Sequence, residues 1–168
     1  YPTSALPMTV TSASASDNGG TVTIIGLDIN YNEISETVIA NSTTAPVTTK
    51  GFFRINDVIY ANTGTNVGII TISNGGTTYA KILAGVGRNQ ASIYTVPAGK
   101  CFYLYRIDAF SNDSTASKPG IFINYVRYDN GNEYVVARTT FNSNMNIQRR
   151  LPFKYNEKAD VQSLVKVL

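Results

Sequence analysis

The stretch TVTIIGLDINYNEISETVI, residues 21–39, indicates the fold class of this 168-residue chain. Apolar and polar side chains alternate in its first part, Thr21–Ile25, and again in Glu36–Ile39. Residues two apart lie on the same face of a β-strand, so each part can bury one face against a core. The mostly polar residues Gly26–Asn32 between them are typical of a turn. The stretch therefore predicts two half-buried strands joined by a loop, and the same alternation recurs at Met8–Thr11 and Ile69–Ile72.

Asn-Gly turns separate further strand-like runs. Asn74-Gly75-Gly76 lies between two of them, and Asp129–Asn132 separates Phe122–Tyr128 from Tyr134–Thr140. Asn-Gly supplies the positive φ angles of a turn whose twist matches a β-hairpin. Both motifs therefore predict hairpins.

Four other segments complete the strand map. Pro97–Gly99 should end a strand and turn the chain into a strand at Phe102–Phe110. The glycine-rich Leu83–Asn89 carries no Walker lysine and indicates a loop between strands. Ser111–Pro119 has almost no apolar side chain and predicts a surface loop. The spacing of apolar residues in Val161–Leu168 fits a helical stripe slightly better than a strand, but the β-branched content favours a final strand.

These patterns predict an all-β fold with little or no helix. We expect one antiparallel, jelly-roll-like β-sandwich spanning residues 1–168, made of two sheets with roughly ten to twelve short strands. The composition changes from acidic to basic near Gly85–Asn89, which indicates a boundary between two halves. Each half is too small to bury much surface alone, so we expect one domain.

The composition removes most catalytic chemistry. The chain has no histidine, no tryptophan and one cysteine, Cys101. Ser-His-Asp and Cys-His nucleophiles and His/Cys zinc sites each lack a required residue type. Cys101 lies in an apolar and aromatic run, so we expect it in the core. We therefore predict no enzyme, no catalytic residue, no metal and no cofactor.

The strongest candidate against that prediction is the carboxylate group Asp28, Glu33 and Glu36. Two carboxylates that flank a bond can hydrolyse a glycoside, but these surround a polar turn, the usual place of solvated acids. Residues 28–33 also begin like a calcium loop. Its sixth position requires glycine and holds Glu33, and its twelfth requires a glutamate and holds Ile39, so the calcium motif fails.

Charge is distributed unevenly along the chain. The net charge is +3; residues 1–80 hold two basic and five acidic residues, and residues 81–168 hold twelve and six. Such a dipolar chain favours docking onto a charged partner. The densest basic patch is interleaved with aromatic residues; a protein partner fits it better than nucleic acid, and a solvated surface remains equally open. The predicted partner-binding residues are Arg149, Arg150, Lys154 and Lys158 in this patch, with Asn112, Asp113 and Lys118 in the polar loop.

Three segments carry a resemblance to a known family. They are Thr21–Val38, Asn66–Ile72 and Ile93–Lys100, in that order. Together they resemble a family of tailed-bacteriophage virion proteins found among phages of aquatic bacteria. The resemblance implies a structural component of the virus particle, built from β-sandwich elements. Members usually carry a further N-terminal stretch, so we expect residues before Tyr1 in the natural protein.

The resemblance and the charge pattern favour a capsid decoration, or cement, protein on the surface of the virion. The expected partners are the major capsid protein or other virion proteins and further copies of the chain in a trimer, with no membrane and no nucleic acid. No run of about 18 apolar residues occurs that spans a bilayer. The alternative is a tail-fibre or receptor-binding module that recognises glycans through exposed tyrosines such as Tyr31, Tyr128 and Tyr134. A third possibility is a polysaccharide-cleaving enzyme using Asp28 with Glu33 or Glu36.

Overall fold

The computed structural model describes residues 1–110, 120–128, 131–141 and 144–167. These ranges contain thirteen strands and a short 3-10 helix, Ala15–Asp17, and the sheets are antiparallel and packed together. The prediction of an all-β sandwich is confirmed. The chain divides into two compact units, Tyr1–Ala91 and Ser92–Leu168, just after the composition change at Gly85–Asn89.

The first unit is a sandwich of two antiparallel sheets, with strand orders β4-β1-β6-β7 and β3-β2-β5. Alternate side chains of both sheets point inward and form one buried cluster that includes Val22, Phe52, Val58 and Ile72. Removing these side chains from water is the main stabilising contribution, about 2 kcal/mol for each. The strands are β1 Leu6–Ser12, β2 Thr21–Leu27, β3 Glu33–Ile39, β4 Val47–Phe52, β5 Arg54–Ala61, β6 Ile70–Asn74 and β7 Thr77–Ile82.

Side-chain and backbone contacts cover most of the sheet edges in this unit. The carboxylate of Glu36 on β3 accepts hydrogen bonds from the backbone N–H groups of Thr49 (2.8 Å) and Lys50 (2.7 Å) on β4. On the opposite side, Gly87–Asn89 runs along β5, where the Tyr60 N–H donates to the Gly87 carbonyl over 2.8 Å. Strand β7 is left at an edge of its sheet.

A buried carboxylate organises the loops at one end of the first unit. Asp17 is 0% exposed. It accepts hydrogen bonds from the Ser12 hydroxyl (2.5 Å) and from the backbone N–H groups of Val67 (2.6 Å) and Gly68 (3.0 Å). These three bonds satisfy a group that would otherwise be costly to bury, and they attach the 3-10 helix to the loop before β6.

The second unit also pairs two antiparallel sheets, with strand orders β11-β10-β13-β8 and β12-β9. Val96, Val126 and Tyr155 belong to one buried cluster, against which half-buried Phe102 and Leu104 of β9 pack, and Phe122 belongs to a second cluster. The strands are β8 Ile93–Thr95, β9 Phe102–Phe110, β10 Gly120–Arg127, β11 Glu133–Phe141, β12 Asn144–Tyr155 and β13 Asp160–Val167.

The structure confirms several of the predicted turns and strands. The hairpin at Asn74–Gly76 is confirmed, with positive φ at both glycines, and β10 and β11 pair as the second hairpin requires. Strand β9 has the predicted bounds, Phe102–Phe110, after a turn closed by the Lys100 N–H and the Pro97 carbonyl. The predicted final strand is confirmed because β13 pairs with β10 along its whole length.

Other expectations need correction or stay open. The structure has four sheets in two pairs, where the sequence indicated two sheets, because each unit forms its own pair. The jelly-roll winding stays a prediction. Cys101 is exposed, so its placement in the core was wrong. The loop Ser111–Pro119 lies outside the described residues, as do Asp129 and Asn130.

Candidate functional site

The outer face of the two-stranded sheet β9–β12 exposes aromatic side chains beside a cation. The inward-facing residues of these strands, among them Phe102 and Phe153, pack against the core of the second unit. Alternation then places Tyr103 and Tyr105 outward, with 46% and 63% of their surface exposed. Lys154 stands directly opposite Tyr103 in the register, and it is exposed as well. The Cβ atoms of directly opposite residues in an antiparallel pair lie about 5 Å apart, so Tyr103 and Lys154 are neighbouring positions of the sheet.

The strand pairing is interrupted beside these residues. Gln148 pairs with Arg106 and Phe153 pairs with Leu104, so residues 149–152 of β12 stand opposite Tyr105 alone. Pro152 has no N–H for a sheet hydrogen bond, which is a physical reason for a bulge at this position.

The bulge carries the most exposed large apolar side chain among the described residues. Leu151 has 82% of its surface exposed. A bulge turns side chains away from the sheet and prevents regular pairing of the strand edge with another chain. We call Tyr103, Tyr105, Leu151 and Lys154 the bulge surface.

The predicted partner-binding residues fall in several places. Arg149 and Arg150 lie in the bulge of β12, and nothing is described of their side chains. Lys158 lies in the turn after β12, with a positive φ of 63°, and its N–H donates to the Val96 carbonyl over 2.8 Å. The backbone of Lys158 therefore helps to form this turn and to attach it to Val96. Asn112, Asp113 and Lys118 lie outside the described residues, and binding by all seven residues stays a prediction.

Sequence reasoning identified Lys154 but missed Tyr103, Tyr105 and Leu151. The available signal was the alternation within Phe102–Phe110, which assigns Tyr103 and Tyr105 to one face. A side-chain hydrogen bond with Cys101, the charge of that thiol, burial and the nearby Tyr105 together raise the pKa of the Tyr103 phenol above its ordinary value of 10.0. Tyrosine is enriched at the centre of protein interfaces, so the exposed Tyr103 and Tyr105 favour a protein-docking surface.

Two of the carboxylates considered for catalysis, Asp28 and Glu36, accept hydrogen bonds from the backbone and so stabilise the fold. Asp28 accepts from the backbone N–H groups of Asn30 (2.8 Å) and Asn32 (2.9 Å). Burial acts to raise the pKa of Asp28, but the hydrogen bonds from Asn32 and Asn30 outweigh it and hold the pKa below its ordinary value. A general acid needs a raised pKa, so this environment works against that role.

Glu36 and Glu33 do not form a facing pair. They lie three positions apart on β3, an odd spacing, so their side chains point to opposite faces of the sheet. The Glu36 carboxylate binds the backbone of β4, and these hydrogen bonds overcome the effect of burial and lower its pKa. Within the described ranges, no group of three His, Cys, Asp or Glu side chains is placed to hold a metal ion.

The tyrosines suggested for glycan stacking differ in exposure. Tyr31 is buried, with a positive φ of 65°, and its ring meets Phe53 edge to face at 5.4 Å, so its expected exposure was wrong. Tyr128 is half buried and packs against the core of the second unit. Tyr134 is exposed and lies edge to face with Tyr128 at 6.0 Å.

Comparison with protein-family models, curated proteins and solved structures finds no match for this chain. No helix in the described part of the chain is long and apolar enough to span a bilayer.

Proposed function

We propose that this chain is a structural protein of a bacteriophage particle, a capsid decoration protein that binds and stabilises the assembled head. The observation that carries the proposal is the bulge surface, where Tyr103, Tyr105 and Leu151 are exposed and Lys154 stands opposite Tyr103 in the register. The resemblance of Thr21–Val38 and two later segments to phage virion proteins supports the same assignment.

Cementing a shell needs rigid parts with adhesive surfaces and no chemical step. Each unit has its own packed sandwich core, so little flexibility has to be lost on binding. A protein that binds the intact lattice better than loose subunits stabilises the lattice by mass action.

The charge of the second unit fits an acidic partner surface. Residues 92–168 hold ten basic and six acidic residues, whereas residues 1–91 hold four and five. We propose that the bulge surface, with Arg149 and Arg150, faces an acidic region of the major capsid protein. The natural assembly in this proposal is a trimer on the outside of the particle, because linked copies multiply weak contacts.

The experiment uses particles of the phage that encodes the chain. Particles are stripped of the protein, heated or osmotically shocked, and compared with stripped particles to which purified protein has been returned. The proposal expects the stripped particles to break at a lower temperature and the added protein to restore resistance. Equal resistance in all samples contradicts it.

The second candidate function is glycan recognition in a tail fibre or receptor-binding module. Exposed Tyr134, edge to face with Tyr128, is the observation that favours it, because such rings can stack on sugars. Copy number separates the two functions. Hundreds of copies per particle in a quantitative gel support the head, and a handful supports the tail.

A further inference from the structure

A groove of about 380 Å³ lies in the first unit, between β7 and the segment that follows it. Its volume is within the range of small-molecule sites, roughly 300–1,000 Å³. The groove belongs to a different unit from the bulge surface, so an inference about it does not depend on the proposed decoration role. Its lining includes Thr78, Tyr79, Lys81, Asn89 and Gln90.

Several contacts fix the outer wall of the groove. The Arg88 guanidinium binds the Asp57 carboxylate through two nitrogens, Nε at 3.0–3.1 Å and Nη2 at 2.5 Å. The Asn89 N–H donates to the Val58 carbonyl over 2.9 Å, and the Ala91 N–H donates to the Asn89 side-chain oxygen over 3.1 Å. The groove is therefore formed before any ligand arrives, which lowers the entropic cost of binding.

The lining combines the ring of Tyr79, which is half buried and packs partly against the core of the first unit, with polar groups that the protein leaves available. The side chains of Thr78, Tyr79, Lys81 and Gln90 make no hydrogen bond to another described residue. Aromatic rings stack on the apolar face of a sugar, and hydroxyl and amide groups bond its hydroxyls. Lys81 is the one charged residue of the lining and favours a carboxylate. We propose that the groove binds a saccharide that carries a carboxylate, such as a uronic acid.

The strand geometry disfavours an extended peptide in the same place. Ala80 pairs with Ile72 and Thr78 pairs with Ser73, so Tyr79 is an extra residue, a β-bulge in the edge strand. Bulges of this kind interrupt the regular backbone ladder that an added strand needs. A compact ligand is therefore favoured over strand addition.

The test is an NMR titration of the full 15N-labelled chain, in which the chemical shifts of the backbone amides are measured as each ligand is added. The probes are sodium glucuronate, glucose, sodium acetate and a short Glu-rich peptide at matched ionic strength. We expect saturable shifts confined to residues 78–83 and 89–91 with both sugars, and about two- to five-fold tighter binding of glucuronate, as an exposed ion pair gives.

The residues to be substituted are exposed, so each variant should keep the fold of the natural chain. Lys81→Gln should remove the preference for glucuronate over glucose, Gln90→Ala should weaken both sugars, and Lys166→Gln on β13 should change neither. The proposal is overturned if neither sugar shifts these amides, if acetate reproduces the glucuronate shifts, or if the peptide alone binds there.

Discussion

The backbone N–H of Gly68 donates a hydrogen bond to the carboxylate of Asp17 over 3.0 Å, across 51 residues of sequence. Together with the bonds from Val67 and Ser12, it fixes the loop before β6 to the 3-10 helix after β1. Since the carboxylate is buried, the loop and the acid stabilise each other, and neither is satisfied alone.

Asp17→Ala should destabilise the first unit by about 3 kcal/mol, because it leaves buried donors without an acceptor. The free energy of unfolding in urea measures this loss. Ser16→Ala is the matched control, since Ser16 is the exposed neighbour within the same helix, and it should change stability by less than about 0.5 kcal/mol. Equal stability of Asp17→Ala and the natural chain would show that the carboxylate is not an anchor.

The same carboxylate should make stability depend on pH. Burial acts to raise the pKa of Asp17, but hydrogen bonds from Ser12, Val67 and Gly68 dominate and lower it below its ordinary value of 3.8. Because the folded state has the lower pKa, this contribution is complete above the ordinary value and is lost as the pH falls below it. Urea unfolding between about pH 5 and pH 2 should show a steeper loss of stability in the natural chain than in Asp17→Asn. Parallel curves for the two proteins would contradict this assignment.

Gly26 on β2 lies against the backbone of β5. A Cβ atom at this position would lie 2.1 Å from the Arg54 carbonyl oxygen. Gly26→Ala should therefore lower the free energy of unfolding by about 1–3 kcal/mol. Gly64→Ala is the control, because a Cβ there meets nothing within 4 Å and the φ of Gly64 is not positive. Thermal unfolding of both variants checks the difference, and an equal melting temperature would refute the close approach.

Local signals were sufficient for most of the fold. The turn at Pro97–Gly99 and the alternation after it gave the bounds of β9, and the glycines at 75 and 76 gave the hairpin. Val161–Leu168 was ambiguous by spacing alone, and pairing with β10 makes it a strand. Tertiary contacts decided that segment.

The candidate site was harder to predict, because exposure and register depend on distant residues. Tyr31 sits in a polar turn yet is buried, since Phe53 and Arg54 lie beside it. The bulge at 149–152 depends on how β12 aligns with β9, and no local pattern encodes that alignment. Composition located the basic residues near the bulge but gave no sign that Leu151 would be exposed.

Charge reversal on the bulge surface should weaken binding to stripped particles. Lys154→Glu removes a cation opposite Tyr103 and introduces repulsion toward an acidic partner, so affinity should fall about tenfold, or 1.4 kcal/mol. Leu151→Ser should weaken binding through loss of apolar contact, with little effect on stability because the side chain is exposed. Co-sedimentation with the particles measures both effects.

Lys166→Glu makes the same charge change on β13, away from the bulge surface. It should reduce binding less than Lys154→Glu does. If the two variants lose affinity for the particles equally, net charge alone accounts for binding. The bulge surface would then not be the binding site.

Electron cryo-microscopy of intact particles tests the central proposal most directly. We expect repeated density for this protein over the outside of the head, with the β9–β12 sheet of the second unit facing the major capsid protein. Density confined to the tail, or absence of the protein from the particle, would contradict it.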